Sequence, residues 1–432
     1  MRAHKAGRLQ EAAQLYQDVL KHDANDVAAL SNFGLLLGEL RNYEQAEKLL
    51  RRALSEAPRY VDVHANLGAV LHDQNKFDEA IACCERGLKL SPDHKKLLNT
   101  LASSLSGAGR YDEAIALLTK MVRARPGFAK GHYFLGTIHS KLGNRAEAVR
   151  AFNQATEIDP TDAASFAAAG ECLLVDGRAE EALGELDKAL RLNEFDVRAL
   201  ALKTLALAGL GRREEERWLS DPERLLHAHR LADLGYSPEE VTALNRELSA
   251  FASNEPSLRE DPPEYATVKA WHSTTNLADH GNQALVILKK FITHAFEQRL
   301  SSLPQEDQAH PFVRSAPPKY HLDLWAIKMR DGSKLLPHIH ADGWLSGVYY
   351  VDVPSIVDDP GAGRAGWLNV GTPRVDIKLT REPLIRVVKP EPGLMVTFPS
   401  YFWHDTVPLP ADNEEQRLCL AFDLLPMRAT RS

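Results

Sequence analysis

The chain has 432 residues, enough for two to four independently packed units at about 100–200 residues each. With 44% hydrophobic and 26% charged residues it has the composition of a soluble globular protein, and a net charge of −7 argues against a dedicated nucleic-acid binder, which needs a basic face. Four scattered cysteines (Cys83, Cys84, Cys172, Cys419) without a CxxC give no disulfide framework, and neither a signal-type apolar region nor 18 consecutive apolar residues occurs, so a cytoplasmic protein without a membrane partner is expected.

The first half is periodic. Pro58, Pro92, Pro126 and Pro160 are 34 residues apart. The same step links Gly34, Gly68, Ala102, Gly136 and Gly170, and also Ala12, Ala46, Ala80, Ala114, Ala148 and Ala182. Three series locked to a 34-residue period are the tetratricopeptide (TPR) pattern, a helical hairpin whose small residues sit where the two helices approach and whose proline stops the second helix. Five repeats fit residues 27–196, and a degenerate sixth runs to about Arg212. An all-α TPR solenoid is therefore expected over 1–212. Such arrays bind proteins or peptides, and Asn32 and Asn66, at one repeat position, are candidates for holding an extended peptide. At the next equivalents the ladder fails, with Thr100, Phe134 and Ala168.

A helical connector is expected over 213–265. It holds Asp221 and Pro222 as a helix start, a capping-type start at Ser237, and a proline-rich loop near its end. An amphipathic helix at about 282–300 should brace the domain that follows, 266–432.

After about Tyr320 the pattern changes to short strands rich in aromatic and β-branched residues. They are expected at Leu322–Met329, Leu345–Val351, Trp367–Val370, Val375–Leu379, Ile385–Lys389, Leu394–Phe398 and Leu418–Leu424. Seven or eight strands without intervening helices suggest a jelly-roll or double-stranded β-helix barrel of cupin type. The chemical signal is PHIHADGWLSGVYYVDVP followed by FPSYFWHDTVPL. It gives His340-x-Asp342, His404 64 positions later, and Arg417 13 further on. That is the order of a two-histidine, one-carboxylate facial triad for Fe(II), with a basic residue for the far carboxylate of 2-oxoglutarate.

Register is open. His338, His340 and Asp342 alternate, so on a continuous strand all three face one side, but His338 and Asp342 would be about 13 Å apart and one ion cannot reach both. His340 belongs to either pairing, and Gly343, which lets the chain turn after Asp342, favours His340 with Asp342. Trp344, Tyr349 and Trp367 are candidates for lining the cavity or for core.

The blocks WAIKMRDGSKLLPHIHADGWLSGVYYVDVP, AGWLNVGTP, PGLMVTFPSYFWHDTVPL and RLCLAFDLLP resemble the 2-oxoglutarate–Fe(II) oxygenases found behind bacterial TPR arrays. The resemblance covers about 320–426. It implies a double-stranded β-helix, Fe(II) with 2-oxoglutarate as cosubstrate, ligands at His338, His340 and His404, and Arg417 as anchor. In that family the recurring element is H-x-H before SGVYY, which favours the pairing of His338 with His340. The reading is a dioxygenase (hydroxylase) whose array recruits a protein. Its rivals are a TPR adaptor with an inert barrel and a metal cupin with non-oxidative chemistry.

Overall fold

A computed structural model describes residues 2–262, 266–411 and 415–427. The chain forms two compact units, residues 1–160 and 161–432.

The first unit is a stack of helical hairpins. Leu9–His22 is followed by the pairs Val27–Glu39 and Tyr43–Glu56, Val61–Asp73 and Phe77–Leu90, Lys95–Gly107 and Tyr111–Ala124, and Ala129–Lys141 and Arg145–Ile158. The small-residue series marks close approach, as expected. A methyl added at Gly34 would lie 2.6 Å from Leu50 Cγ, and one at Gly68 would lie 2.7 Å from Cys84 Sγ. Leu50 and Cys84 are fully buried. A second period-34 feature is conformational. Arg41, Asn75, Gly109, Gly143, Gly177 and Gly211 all have φ between 59° and 77°. Each residue ends the first helix of a hairpin with a left-handed turn, after which the next amide returns to the helix, as Asn42 does to the Leu37 carbonyl.

Gly211 extends that series to the expected end of the array, and the hairpin it belongs to runs past it. The turn at 211–212 lies inside a sixth hairpin, made of Val197–Leu210 and the short helix Arg213–Ser220. The charged run after Arg212 is thus the second helix of a repeat. The asparagines proposed to hold a peptide are already engaged. Asn32 Nδ2 donates to the Ala28 carbonyl, Asn66 Nδ2 donates to Ser31 Oγ, and Lys96 donates to Asn66 Oδ1.

The second unit begins with the helices Ala163–Val175 and Ala179–Leu192 and the sixth hairpin, and continues into two antiparallel sheets. The strands are β1 (His227–Arg230), β2 (Leu258–Glu260), β3 (Thr267–Ser273), β4 (Tyr320–Leu335), β5 (Leu345–Asp352), β6 (Leu368–Val370), β7 (Arg386–Val388), β8 (Leu394–Pro399), β9 (His404–Thr406) and β10 (Arg417–Pro426). The larger sheet has the order β1-β8-β5-β10-β4-β3-β2 and is open at β1 and β2; the smaller has the order β7-β6-β9. The stretch read as a helical connector therefore supplies both edge strands, β1 pairing with β8 and β2 with β3. Within its expected loop, residues 263–265 lie outside the described residues. The strand expected at Val375–Leu379 does not form. Val375 is exposed, the Ile377 amide turns back to the Arg374 carbonyl, and Arg374 pairs with Glu171 and Asp376.

Two helices brace the larger sheet. Pro238–Ser253 starts with the expected capping box, Ser237 with Glu240. Gln283–Ser302 starts where Asn282 accepts from the amides of Ala284 and Leu285. Trp344 is fully buried between Phe312, stacked at 4.3 Å, and Phe296, while the Tyr349 hydroxyl donates to Asn245. Both aromatics are core. Among the described residues no helix is long and apolar enough to cross a membrane.

Candidate metal centre

β4 ends at Leu335, and the next segment runs beside the end of β8 without forming a regular strand. His338 and His404 exchange backbone hydrogen bonds, at 3.1 and 3.0 Å, and the His340 amide donates to the Ser400 carbonyl. The two-residue alternation holds for His338 and His340, so both rings project to one side. It then stops, because the Gly343 amide bonds to the His340 carbonyl and closes a turn that carries Ala341 and Asp342.

This geometry decides which expected residues meet. Ligand atoms of His338, His340 and His404 lie within 4.8 Å of one another, and the three form the only such group among the described residues. Their ring centroids are 4.2 to 5.2 Å apart. Asp342, on the turn, is exposed and outside the group. The strand argument for Asp342 assumed an extended chain through 342. Gly343 does mark the turn, and its bare Cα also admits Ser400, whose side chain a Cβ would strike.

The rings are oriented by their Nδ1 atoms. His338 Nδ1 is 2.7 Å from the Leu336 carbonyl, and His404 Nδ1 is 3.0 Å from the Phe402 carbonyl. His340 Nδ1 is 2.6 and 2.8 Å from the two oxygens of Asp423. A carbonyl can only accept, so Nδ1 carries the proton in His338 and His404 and the Nε2 lone pair is left for a ligand. Burial, then the neighbouring His340, pushes His338 down to about 4. Burial followed by His338 and His340 takes His404 well below the usual range. Both rings are neutral at ordinary pH, which is the ligating form. Three converging imidazole nitrogens, two of them on rings that are neutral with fixed tautomers, fit a divalent transition metal such as Fe(II).

Arg417 opens β10. Arg417 and Asp423 are an even number of residues apart on a strand in regular register with β4, so they share a face, and Asp423 places that face on the histidine side. The Arg417 side chain passes Gly366, whose amide bonds to the carbonyl of Val407, three residues beyond His404. It is 1% exposed and forms no ion pair among the described residues. Its Nη1 meets Met329 Sδ at 2.9 Å, its guanidinium lies 5.2 Å from the Tyr350 ring centre, and its Nε has no partner among the described residues. The buried Tyr350 hydroxyl is likewise without a hydrogen-bond partner among them, and burial pushes it up to about 12. A buried cation beside an unsatisfied phenol calls for an anion able to accept from both.

Three neighbours escaped the sequence reading. Trp325 is 5.5 Å from the His340 ring and Phe398 is 4.8 Å from His404. Asp423 had a visible signal, being the one carboxylate inside the apolar run LCLAFDLLP.

The first unit is thus an array of tetratricopeptide type, and the second is a sheet domain with a histidine centre. Residues 37–105 and 105–169 match the tetratricopeptide repeat family, and residues 323–423 match the family described as "Putative 2OG-Fe(II) oxygenase". The chain carries TPR repeats followed by a domain of that oxygenase family. Solved structures that it is similar to include YrrB, a TPR protein with an unusual peptide-binding site, at 24% identity over 45% of this chain and 100% of that one, TM-score 0.35. PilF of Pseudomonas aeruginosa is 20% identical over 48% and 88%, TM-score 0.39. A thermophilic TPR protein of Thermus thermophilus is 23% identical over 42% and 98%, TM-score 0.36. No curated protein matches the chain.

Proposed function

We propose that this protein is an Fe(II)- and 2-oxoglutarate-dependent dioxygenase acting on a protein or peptide recruited by its repeats. His338, His340 and His404 would hold the metal through Nε2, in place of the His340–Asp342 pairing. Arg417, with Tyr350, would anchor the far carboxylate of 2-oxoglutarate. The strand orders β8-β5-β10-β4 and β7-β6-β9, with the His338 segment paired beside β9, support a double-stranded β-helix. When bound, Fe(II) and 2-oxoglutarate supply the oxidising power for C–H hydroxylation, with succinate and CO₂ as co-products.

The observation that carries this reading is the buried guanidinium of Arg417, without a counter-ion among the described residues. Neither an inert barrel nor a non-oxidative cupin has use for an uncompensated cation there, whereas a dicarboxylate cosubstrate neutralises it. The residues divide the work: the histidines hold the ion, Arg417 and Tyr350 orient the cosubstrate, and Trp325 and Phe398 wall off water.

The test is succinate formation from 2-oxoglutarate with and without Fe(II), which is expected only with the metal. Absence of turnover in protein shown to bind both groups would favour the adaptor. Ligand choice is tested separately: His338→Ala is expected to abolish Fe(II) binding and Asp342→Ala to retain it. The reverse pattern would restore the carboxylate triad.

A further inference from the structure

β10 is buried along almost its whole length, yet it carries a carboxylate aimed at a candidate metal ligand. Asp423 accepts the His340 Nδ1–H on both oxygens and a third bond, at 2.6 Å, from Ser346 Oγ. Ser346 Oγ is 2.8 Å from Ser400 Oγ. Ser346 has one proton and gives it to Asp423, so Ser400 donates to Ser346. Ser400 also accepts the His340 amide through its carbonyl, so the chain of contacts closes on the residue where it starts.

The other two histidines bond to carbonyls through Nδ1; among the described residues only His340 has a charged partner. The three rings carry no charge with which to offset a divalent cation. We propose that Asp423 is a positioning residue: it locks His340 in the Nδ1–H tautomer and gives an all-histidine ligand set a negative charge, a single hydrogen bond behind the metal. A carboxylate on the far nitrogen of a ligating imidazole fixes the ring and raises its basicity. This rests on the metal-site reading above.

The experiment uses full-length protein and two readouts. In metal-free protein, imidazole ¹⁵N shifts report the His340 tautomer, assigned by the signal lost in His340→Ala. With Co(II) as probe, calorimetry reports affinity. Asp423→Asn keeps size and removes charge. With Ser346 occupying its one acceptor oxygen, its amide faces His340 Nδ1 and should turn the ring to the Nε2–H form. The expected result is loss of the Nδ1–H tautomer and Co(II) binding weaker by about 10–100-fold. Ser346→Ala frees that oxygen of Asp423 and is expected to retain the tautomer, with a smaller loss of affinity. An unchanged tautomer and wild-type affinity in Asp423→Asn overturn the proposal. If His340→Ala itself binds Co(II) as tightly as wild type, the metal-site reading fails instead, and an unchanged tautomer in Asp423→Asn would still overturn the lock.

Discussion

Helices with the same repeat pattern serve two different neighbourhoods. In the first unit Gly34 meets Leu50 and the Ala46 carbonyl; in the second Gly170 meets Leu186 and the Ala182 carbonyl, at nearly the same distances. The hairpins are alike inside. Outside they differ, because those of the second unit are bonded to the sheet domain. Trp403, next to His404, donates its indole N–H to the Ala201 carbonyl in the middle of Val197–Leu210. Tyr401 donates to the Leu219 carbonyl, and Glu171 pairs with Arg374. The repeat pattern reports how two helices pack on each other and is silent about what covers their outer faces.

The largest test of that contrast is truncation. Removing residues 1–160 should leave a folded, metal-binding second unit. Removing 1–212 strips the largely buried Val197–Leu210 helix from it, and circular dichroism and Co(II) titration should then find neither native structure nor binding. A 213–432 fragment that folds and binds metal would make the sixth hairpin an ordinary repeat.

Charge separates the units next. The second unit buries a cation with no ion-pair partner among the described residues, so Arg417→Met should lower 2-oxoglutarate affinity by a factor of about 100 or more while raising stability without cosubstrate by about 1–4 kcal/mol. A cavity variant in the first unit, Leu50→Ala, should only destabilise, by about 2–5 kcal/mol. Urea titrations of both check the opposite signs.

Acid should divide the units in the same direction. Burial first of all holds His229, His310 and His338 at about 4 and His272 at about 3, against 6.5 when unfolded. In the first unit His72 and His132 are lowered. A depressed histidine stays neutral in the folded state while the unfolded chain takes up a proton. Stability is therefore full above pH 6.5 and falls towards pH 4, by up to about 1.4 kcal/mol per pH unit for each group. All six tryptophans lie in 161–432, so tryptophan fluorescence follows that unit alone. Its melting temperature should drop between pH 7 and 5 by more than that of the helical transition seen by circular dichroism of the whole chain.

The smallest effect is a matched pair of substitutions. Ala at Gly34 or Gly170 overpacks by about 1–3 kcal/mol, partly offset by about 1 kcal/mol of helix propensity. Gly170→Ala should cost more, because its hairpin is also tied to the sheet domain. Equal losses would mean that the outer contacts do not stiffen the hairpin.

Much of this was legible in the sequence. Period 34 located the hairpins, and the H-x-H and His404 blocks held the three histidines that the fold brings together. What escaped was non-local. β1 and β2 are short edges of four and three residues with no periodicity to read, and Asp423 acquires its role only when β10 lies beside the turn after β4. The two-sided burial of Val197–Leu210 did leave a trace, since ALALKTLALAGL is apolar except at Lys203 and Thr204, more than one-sided packing in an array requires. Asp342 lies apart from the three histidines because alternation holds only while a strand continues.

The paired backbone bonds between His338 and His404 also bear on folding. They join segments 66 positions apart, outside either sheet ladder, and β5 to β8 lie between them. Closing such a loop has an entropic cost that grows as about (3/2)RT ln n, and the β5–β8 ladder, with the His340–Ser400 bond beside it, already closes most of it. The His338–His404 bridge then closes after β5 pairs with β8, and it opens before they part. An ion shared by the two rings would be a further tie beside that bridge, so metal supply would help set how long that end of the domain stays shut.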